Sequence, residues 1–197
     1  MRYAPGHKAR TREKILEAAG RVFRRRGFEG AGVDEVMREA GLTPGGFYAH
    51  FRSKEELLGE ALAQSASRME EASRARLDGL SGGDWLNAFV EWYLSRAHRG
   101  NLEAGCPLAA LVSEVARSSE SVKDRFESIL TVLSANLSAR VGDGLAEDRS
   151  LAILALCIGG LGMARSVRDE ALADRILAAC GNLAQEACRN QIQTRRG

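Results

Sequence analysis

Apolar residues recur at helical spacing along almost the whole chain. The clearest case is a stripe at positions i, i+3, i+4, i+7 and i+8, formed by Ile15, Ala18, Ala19, Val22 and Phe23. We find no run of alternating β-branched residues that argues for a strand. The pattern therefore predicts an all-α protein.

Glycines and capping residues divide this pattern into nine predicted helices. The first should end at Gly27, a natural left-handed C-terminal residue, with Phe28 folding back behind it. Gly41 closes the second helix, and Thr43 can cap the third. Ser53 with Glu56 forms a predicted capping box for the fourth. The predicted helices span about 8–27, 33–40, 43–51, 53–78, 84–99, 107–117, 120–141, 146–167 and 172–189.

These helices are expected to form two domains. Residues 1–54 would be a small head with a helix-turn-helix at about 33–51, and 55–197 a larger helical body, with 53–78 as the connecting helix. Residues 1–58 carry 12 of the 28 basic and 8 of the 26 acidic residues, a net charge of +4, which leaves −2 for the remainder. This asymmetry hints at a basic module that faces a partner.

Two short helices joined by a tight glycine turn are typical of DNA-binding helix-turn-helix proteins. Residues 33–40 would brace the DNA backbone while 43–51 enters the major groove. The small Gly45 and Gly46 would let the backbone approach the bases. Thr43, Tyr48 and His50 can donate hydrogen bonds to phosphate oxygens, and Lys54 lies in the next turn. Phe47 and Phe51 have the spacing of core residues.

Further basic residues flank this motif. A basic arm formed by Arg2, Lys8, Arg10 and Arg12 could reach an adjacent minor groove or lie on the DNA backbone. The run 24–26 is either part of a nucleic-acid patch or a set of cations that complements the dipole of the first helix.

The stretch GLTPGGFYAHFRSKEELL, residues 41–58, resembles the signature of the tetracycline-repressor (TetR) family. The resemblance implies an all-α dimer, usually a repressor, which leaves a palindromic operator when a small molecule enters the body. Family members often carry Ser or Thr where this chain has Gly32, so the cap of the second helix is missing here. By the resemblance, the DNA-contact residues are Thr43, Pro44, Gly45, Gly46, Tyr48, His50 and Lys54.

The body contains a candidate effector pocket. Four aromatic residues at i, i+4, i+7 and i+8 concentrate in one predicted helix, 84–99, and such a stripe forms either core or the wall of an apolar pocket. We hypothesise that the pocket takes a small apolar or aromatic effector. Its predicted lining is Phe89, Trp92, Tyr93, Leu111, Phe126, Leu130 and Met163.

Helix 146–167 is expected to lie at a subunit interface. Its run 151–164 is apolar nearly all round, and Gly159, Gly160 and Gly162 would allow a close helix approach. In the TetR family the last two helices form a four-helix dimer bundle, which places the homodimer contact at about 146–189. The last helix offers a matching stripe of Ile176, Cys180, Leu183 and Ala187.

Cys106 precedes Pro107 at a predicted helix start, where a thiolate is stabilised. The segment is similar to one in TetR-family regulators that sense electrophiles through a thiol, although a small buried apolar cysteine explains it as well. The four cysteines, Cys188 included, form no CxxC pair, so we expect neither a metal nor a disulfide framework, and no cofactor.

Other functions are less well supported by the sequence. Catalysis would need converging groups, but the three histidines are His7, His50 and His98, which fall in separate segments. No apolar N-terminal leader is present, and the run 151–164 is too short to span a bilayer, so a cytoplasmic protein is expected. The alternatives are a thiol-sensing regulator acting through Cys106, a transcriptional activator, or a helical module that docks a protein instead of DNA.

Overall fold

The computed structural model describes residues 6–142 and 145–194, and the side chains up to residue 187 outside that gap. Arg2 and the side chain of Cys188 therefore lie outside the described residues. Within the described part there are nine α-helices, one 3₁₀ helix and no strand. The helices are α1 His7–Gly30, α2 Val33–Glu39, the 3₁₀ helix Pro44–Ala49, α3 Lys54–Arg76, α4 Gly82–Tyr93, α5 Arg96–Gly100, α6 Pro107–Val115, α7 Glu120–Val141, α8 Glu147–Ser166 and α9 Glu170–Thr194.

The all-α prediction is confirmed, and the helix count is ten in place of nine. The predicted helix 84–99 divides because the chain leaves helical geometry at Leu94 and Ser95 starts α5. The Ser95 hydroxyl accepts a hydrogen bond from the His98 backbone N–H at 3.1 Å, which is the usual role of a serine N-cap. The third predicted helix is a short 3₁₀ helix that spans only Pro44–Ala49.

One compact unit comprises the chain up to Arg68 together with Cys106–Glu127. In it, α1 packs against α2 and α6, and α2 packs against the 3₁₀ helix. The helical path of α1 breaks at Gly27, whose φ of 74° favours glycine, and the ring of the buried Phe28 lies 5.8 Å from that of Phe23. The predicted break at Gly27 is thus confirmed, but helical geometry resumes after it and α1 ends at Gly30.

The other unit comprises Met69–Gly105 and the chain from Ser128 onward. In it α8 packs along α9, α4 contacts both, and α5 contacts α8. The predicted domain boundary at 54/55 would assign α6 to the body, whereas α6 belongs to the first compact unit. The division into a DNA-binding head and an effector-binding body stays a prediction.

A close helix approach joins α8 and α9. A Cβ built on Gly160 would lie 2.8 Å from the Cys180 Sγ, so only glycine fits at this position without a clash. Gly159 has no atom near its Cβ position. Gly160, which was expected to lie at a subunit interface, therefore packs against α9 of its own chain. Cys180 likewise faces α8 of its own chain.

Two arginines cap α5 and α8 reciprocally. Arg99 Nε donates to the carbonyl oxygen of Ala164 at 2.8 Å, near the end of α8. Arg165 donates to the carbonyl oxygen of His98 at 2.7 Å, near the end of α5. Each helix thus has a guanidinium at a carbonyl group near its C-terminal end, although the His98 carbonyl also accepts from the Asn101 N–H at 3.3 Å. The two contacts link α5 to α8.

By length and hydropathy alone, α8 could cross a membrane; it is the one such helix among the described residues. Seven of its 20 residues are buried, and the core helices of folded domains can meet the same criteria of length and hydropathy. Helix α8 is therefore weak evidence for a membrane span.

Candidate nucleic-acid interface and effector-binding body

Gly41 makes the tight turn between α2 and the 3₁₀ helix. Its φ of 72° lies in the left-handed region, and the backbone N–H of Leu42 donates to the carbonyl oxygen of Met37 at 2.9 Å. A side chain at position 41 would be strained in this conformation. The turn geometry agrees with the helix-turn-helix predicted from the sequence.

Buried aromatic rings anchor the 3₁₀ helix from inside. Phe47 and Phe51 are each 1% exposed, and their rings stack with centroids 5.8 Å apart. Their predicted core role is confirmed. Tyr48 lies against Phe47 edge-on at 5.1 Å but is 78% exposed, so it projects from the other side of the helix.

The predicted DNA-contact residues form one accessible group along this segment. Of the seven predicted DNA-contact residues, Tyr48 and the three at the start of the 3₁₀ segment are exposed, whereas the other three are half-buried. Thr43 makes no side-chain cap hydrogen bond, so the capping role predicted for its hydroxyl is wrong. The exposed residues are Thr43, Pro44, Gly45 and Tyr48, and the half-buried ones are Gly46, His50 and Lys54.

The two glycines of this segment differ in their surroundings. No atom lies near the Cβ position of Gly45, whereas a Cβ on Gly46 would be 3.5 Å from the Met37 side chain. Gly45 thus has open space on its side-chain direction, where the backbone can approach a partner. Gly46 faces α2, so its place as a DNA-contact residue has less structural support than that of Gly45.

His50 is held in its neutral form. Burial lowers the pKa of its imidazole, and the positive charges of Lys8, Arg12 and His7 lower it further. Its Nδ1 atom is buried and has no hydrogen-bond partner among the described residues. At neutral pH the ring can therefore donate one N–H, and a nearby phosphate would favour the charged form.

The predicted basic arm is largely helical. Because α1 begins at His7, Lys8, Arg10 and Arg12 all lie in it. Arg10 is exposed. Arg12 forms an ion pair with Glu60, which raises the pKa of its guanidinium, and it lies 4.5 Å over the Phe51 ring. Arg12 therefore stabilises its own unit, whereas Lys8 and Arg10 are both exposed, and the DNA contact predicted for Arg10 stays a prediction.

The arginines of the basic run 24–26 contact neighbouring helices, and whether they also face DNA or complement the dipole of α1 stays a prediction. The Arg25 guanidinium lies 3.4 Å from Glu39 and 3.6 Å from Glu35, and that of Arg26 lies 3.5 Å from Glu35. Arg24 donates to the Ser65 hydroxyl at 3.2 Å. These contacts tie α1 to α2 and α3.

The start of α3 follows the predicted capping box in part. The Ser53 hydroxyl accepts from the Glu56 backbone N–H at 3.1 Å, as predicted. The Glu56 carboxylate accepts a hydrogen bond from the Arg52 backbone N–H at 2.6 Å. A regular capping box would use the N–H of Ser53 as the donor. At α2, Gly32 is the N-cap and supplies no side-chain hydrogen bond, as the sequence indicated.

Glu114 contacts the break in α1, which the sequence did not predict. Its carboxylate accepts a hydrogen bond from the Phe28 backbone N–H. The Nζ atom of Lys54 lies 4.3 Å from the centroid of the Phe28 ring. Gly27 signalled the break, but no local pattern signals a partner 86 residues away.

The aromatic stripe of α4 continues into α5. Trp85 stacks on Phe89 at 5.1 Å, and Phe89 contacts both Trp92 at 6.0 Å and Tyr93 at 5.6 Å. The His98 ring is parallel to Trp92 at 6.0 Å. Burial lowers the pKa of His98, and the charge of Arg165 lowers it further against the raising effect of a hydrogen bond to the Tyr93 carbonyl.

Two buried polar side-chain atoms of this unit lack hydrogen-bond partners among the described residues. Trp85 Nε1 and the hydroxyl oxygen of Ser134, on α7, are both buried with no hydrogen-bond partner among the described residues. A buried donor without an acceptor costs about 1–3 kcal/mol, so such atoms mark places where a ligand oxygen or a water would bind favourably.

The predicted pocket residues fall in both units. Leu111 is buried and Phe126 half-buried in the first, whereas Phe89, Trp92, Tyr93 and Leu130 are buried or half-buried in the second. Met163 is 60% exposed on α8, which argues against it as the wall of an enclosed pocket. That the others line one pocket stays a prediction.

An exposed apolar stripe follows α8 and α9. On α8 it contains Leu151, Ala155, Gly159 and Met163, each four residues after the last. On α9, Leu172 and Leu183 are 42% and 55% exposed. The residues are apolar or small, and all lie on the two helices expected to dimerise.

Cys106 is the N-cap residue of α6, as the sequence indicated, and it is only 5% exposed. Such burial restricts the access of an electrophile and favours its interpretation as a small apolar core residue. Its sensing role stays a prediction. Among the described residues, no group of three or more His, Cys, Asp or Glu side chains is placed to hold a metal ion.

Comparison with known proteins matches both parts of the chain. Residues 15–61 match the family described as "Bacterial regulatory proteins, tetR family", and residues 82–180 match "Tetracyclin repressor-like, C-terminal domain". The first match contains the turn, the 3₁₀ helix and Lys54. The second contains the aromatic cluster, all of α8 and the first part of α9.

Relatives and solved structures agree with these matches. The HTH-type transcriptional regulator YxaF of Bacillus subtilis is 30% identical over 115 residues, which are 57% of this chain and 60% of YxaF. The chain thus spans less than two thirds of that relative's length. The regulator UidR of Escherichia coli is 32% identical over 88 residues, 45% of this chain and 43% of UidR.

Two crystal structures show the same fold. A TetR-family regulator from Cytophaga hutchinsonii superimposes with a TM-score of 0.76 at 18% identity, covering 92% of this chain and 96% of that one. The reduced form of E. coli NemR superimposes with a TM-score of 0.72 at 23% identity, covering 88% and 96%.

Proposed function

Because this chain belongs to the TetR family of DNA-binding transcriptional regulators, which are not enzymes, we propose that it is a ligand-responsive repressor. It binds a palindromic operator in the cytoplasm as a homodimer, and a small effector in the body releases it. The observation that carries this proposal is the 3₁₀ helix, whose inner face is fixed by Phe47 while Tyr48 and its neighbours are exposed.

Phosphate contacts from Tyr48 and Lys54 are the first part of the proposal to test. Tyr48→Ala and Lys54→Ala should each weaken operator binding by roughly 10-fold per subunit, since hydrogen bonds to a charged group contribute about 1.5–3 kcal/mol. Lys54→Ala should also lower the slope of log K against log salt by about 1 per subunit. Fluorescence anisotropy with labelled operator measures both quantities.

Lys123→Ala is the matched control for Lys54→Ala. Lys123 is a partly exposed lysine of α7 that pairs with Glu120, outside the helix-turn-helix. Its removal should leave affinity and salt slope unchanged. Unchanged affinity in both Tyr48→Ala and Lys54→Ala would show that this face does not contact DNA.

The effector is proposed to be planar and aromatic, with an oxygen that accepts a hydrogen bond. The stacked rings of Trp85 and Phe89 offer a flat apolar surface, and the buried Trp85 Nε1 lacks an acceptor within the described residues. Apolar pockets with a few polar anchors are the usual form of small-molecule sites.

Tryptophan fluorescence tests this effector site specifically, because the chain has only two tryptophans, Trp85 and Trp92, and both lie on α4. Any compound that releases the protein from its operator should quench this emission with the same concentration dependence. Trp85→Phe, which removes the N–H and keeps an aromatic ring, should weaken that compound about 10-fold. A releasing compound that leaves the emission unchanged would place the effector elsewhere.

A further inference from the structure

Phe28 is held by two different parts of its unit. Its backbone N–H donates to the Glu114 carboxylate of α6, and its ring faces the Nζ atom of Lys54, in the first turn of α3, at 4.3 Å. The residue lies directly after the break in α1. A single buried residue thus connects α6 with a proposed DNA contact.

Gly27 makes this arrangement possible. Its φ of 74° turns the chain so that the Phe28 N–H points away from α1, and a Cβ at position 27 would clash with the Glu114 carboxylate. The carboxylate occupies the space that any other residue would fill. The backbone conformation and the missing side chain both serve the contact with α6.

The ring contact constrains Lys54. A lysine cation over an aromatic face is attracted by the ring, and the attraction depends on where the ring lies. The Phe28 ring also packs on Phe23, at 5.8 Å, so its position depends on how the chain leaves α1. A shift of the Phe28 backbone therefore changes the place from which Lys54 reaches outward.

We propose that Glu114 is a positioning residue for DNA binding, because through Phe28 it sets the position of Lys54. The inference rests on the proposed role of Lys54 at an operator phosphate. It assigns to the Glu114 carboxylate of α6 a specific role in holding the Phe28 backbone, and with it the ring that Lys54 faces.

Two variants of Glu114 test the contact. Glu114→Ala removes the acceptor and should weaken operator binding by roughly 5- to 10-fold, with a salt slope lower by about 1 per subunit, as Lys54→Ala does. Glu114→Gln keeps a side-chain carbonyl oxygen that accepts the same N–H, so it should restore most of the affinity. Ser113→Ala, at the exposed neighbouring position on α6, should bind like the unaltered protein.

A double-mutant cycle shows whether Glu114 acts through Lys54. If it does, adding Glu114→Ala to Lys54→Ala should change affinity less than twofold, because groups that act through one another are not additive. All variants are compared below the temperature at which circular dichroism shows unfolding. The backbone amide resonance of Phe28 should move in Glu114→Ala and stay nearly unchanged in Glu114→Gln.

The outcomes separate this inference from the proposed function. Weakening by Lys54→Ala with no effect of Glu114→Ala, or full additivity of the two, would overturn the inference and leave the DNA-binding proposal standing. Operator binding that is insensitive to Lys54→Ala would overturn the inference together with the assigned phosphate contact. Absence of operator binding by the unaltered protein would overturn both proposals.

Discussion

Phe47→Ala should unfold the helix-turn-helix and reduce operator binding more than 100-fold. Phe47 is 1% exposed and stacks on Phe51, so its truncation leaves a large cavity in a small unit. Burial losses of this kind cost about 3–5 kcal/mol, a large part of the roughly 5–15 kcal/mol that stabilises a typical domain. Thermal unfolding followed by circular dichroism, together with operator binding, measures the effect.

Tyr48→Ala is the matched comparison for Phe47→Ala, since it removes an aromatic ring from the adjacent residue. Tyr48 is 78% exposed, so its loss should leave the melting temperature nearly unchanged while affinity falls. Comparing the two variants therefore separates loss of stability from loss of a DNA contact. Equal melting temperatures for Phe47→Ala and the unaltered protein would contradict the proposed anchoring of the 3₁₀ helix.

Leu183→Glu should convert the protein to a monomer and reduce operator binding by at least 100-fold. Leu183 is 55% exposed on α9, in the apolar stripe proposed to meet a second copy of the chain. In a two-fold dimer the substitution introduces two charges into one interface, and an unpaired buried charge is strongly unfavourable. Two recognition elements must also be linked to bind two half-sites, so loss of the dimer removes DNA binding.

Val132→Glu is the matched control for Leu183→Glu. Val132 is 54% exposed on α7, and the same charge is introduced there outside the proposed interface. Light scattering after size-exclusion chromatography should give a dimer for Val132→Glu and a monomer for Leu183→Glu. A dimer for both variants would contradict the assignment of the interface to α8 and α9.

The sequence predicts the helices well wherever a local signal ends or begins them. Gly27 and Gly41 both adopt the positive φ expected at a helix end, and Ser53 caps α3 through its hydroxyl. The break at Ser95 was not predicted because no glycine or proline lies between Trp92 and Arg99 to mark the end of a helix. A serine inside a periodic stretch indicates an N-cap only once the helical path has been interrupted.

The buried and exposed faces of the 3₁₀ helix and the residues after it were also predictable, since they depend on residue spacing. Phe47 and Phe51 are four residues apart and lie on one side, whereas Tyr48 lies on the other. The partners of charged side chains were not predictable. Arg25 pairs with Glu39 and Phe28 binds Glu114, and these contacts depend on how helices pack, which composition does not encode.

The glycines of α8 are a second case in which the sequence does not predict a contact between helices. The sequence marks Gly159 and Gly160 equally as sites of close approach. In the structure Gly160 accommodates Cys180 of its own chain, while Gly159 lies on the exposed stripe. Adjacent positions on a helix face directions about 100° apart, so only the placement of α9 decides which glycine is used within the chain.

Selection of binding sites from random DNA, followed by titration of the selected duplex at several salt concentrations, measures operator recognition by the dimer itself. A palindrome that binds two subunits should be enriched, with half-sites about one helical turn apart, and the slope of log K against log salt should be about −0.9 for each phosphate neutralised. Failure to enrich any sequence, with weak and nearly salt-independent binding, would contradict operator recognition by this protein.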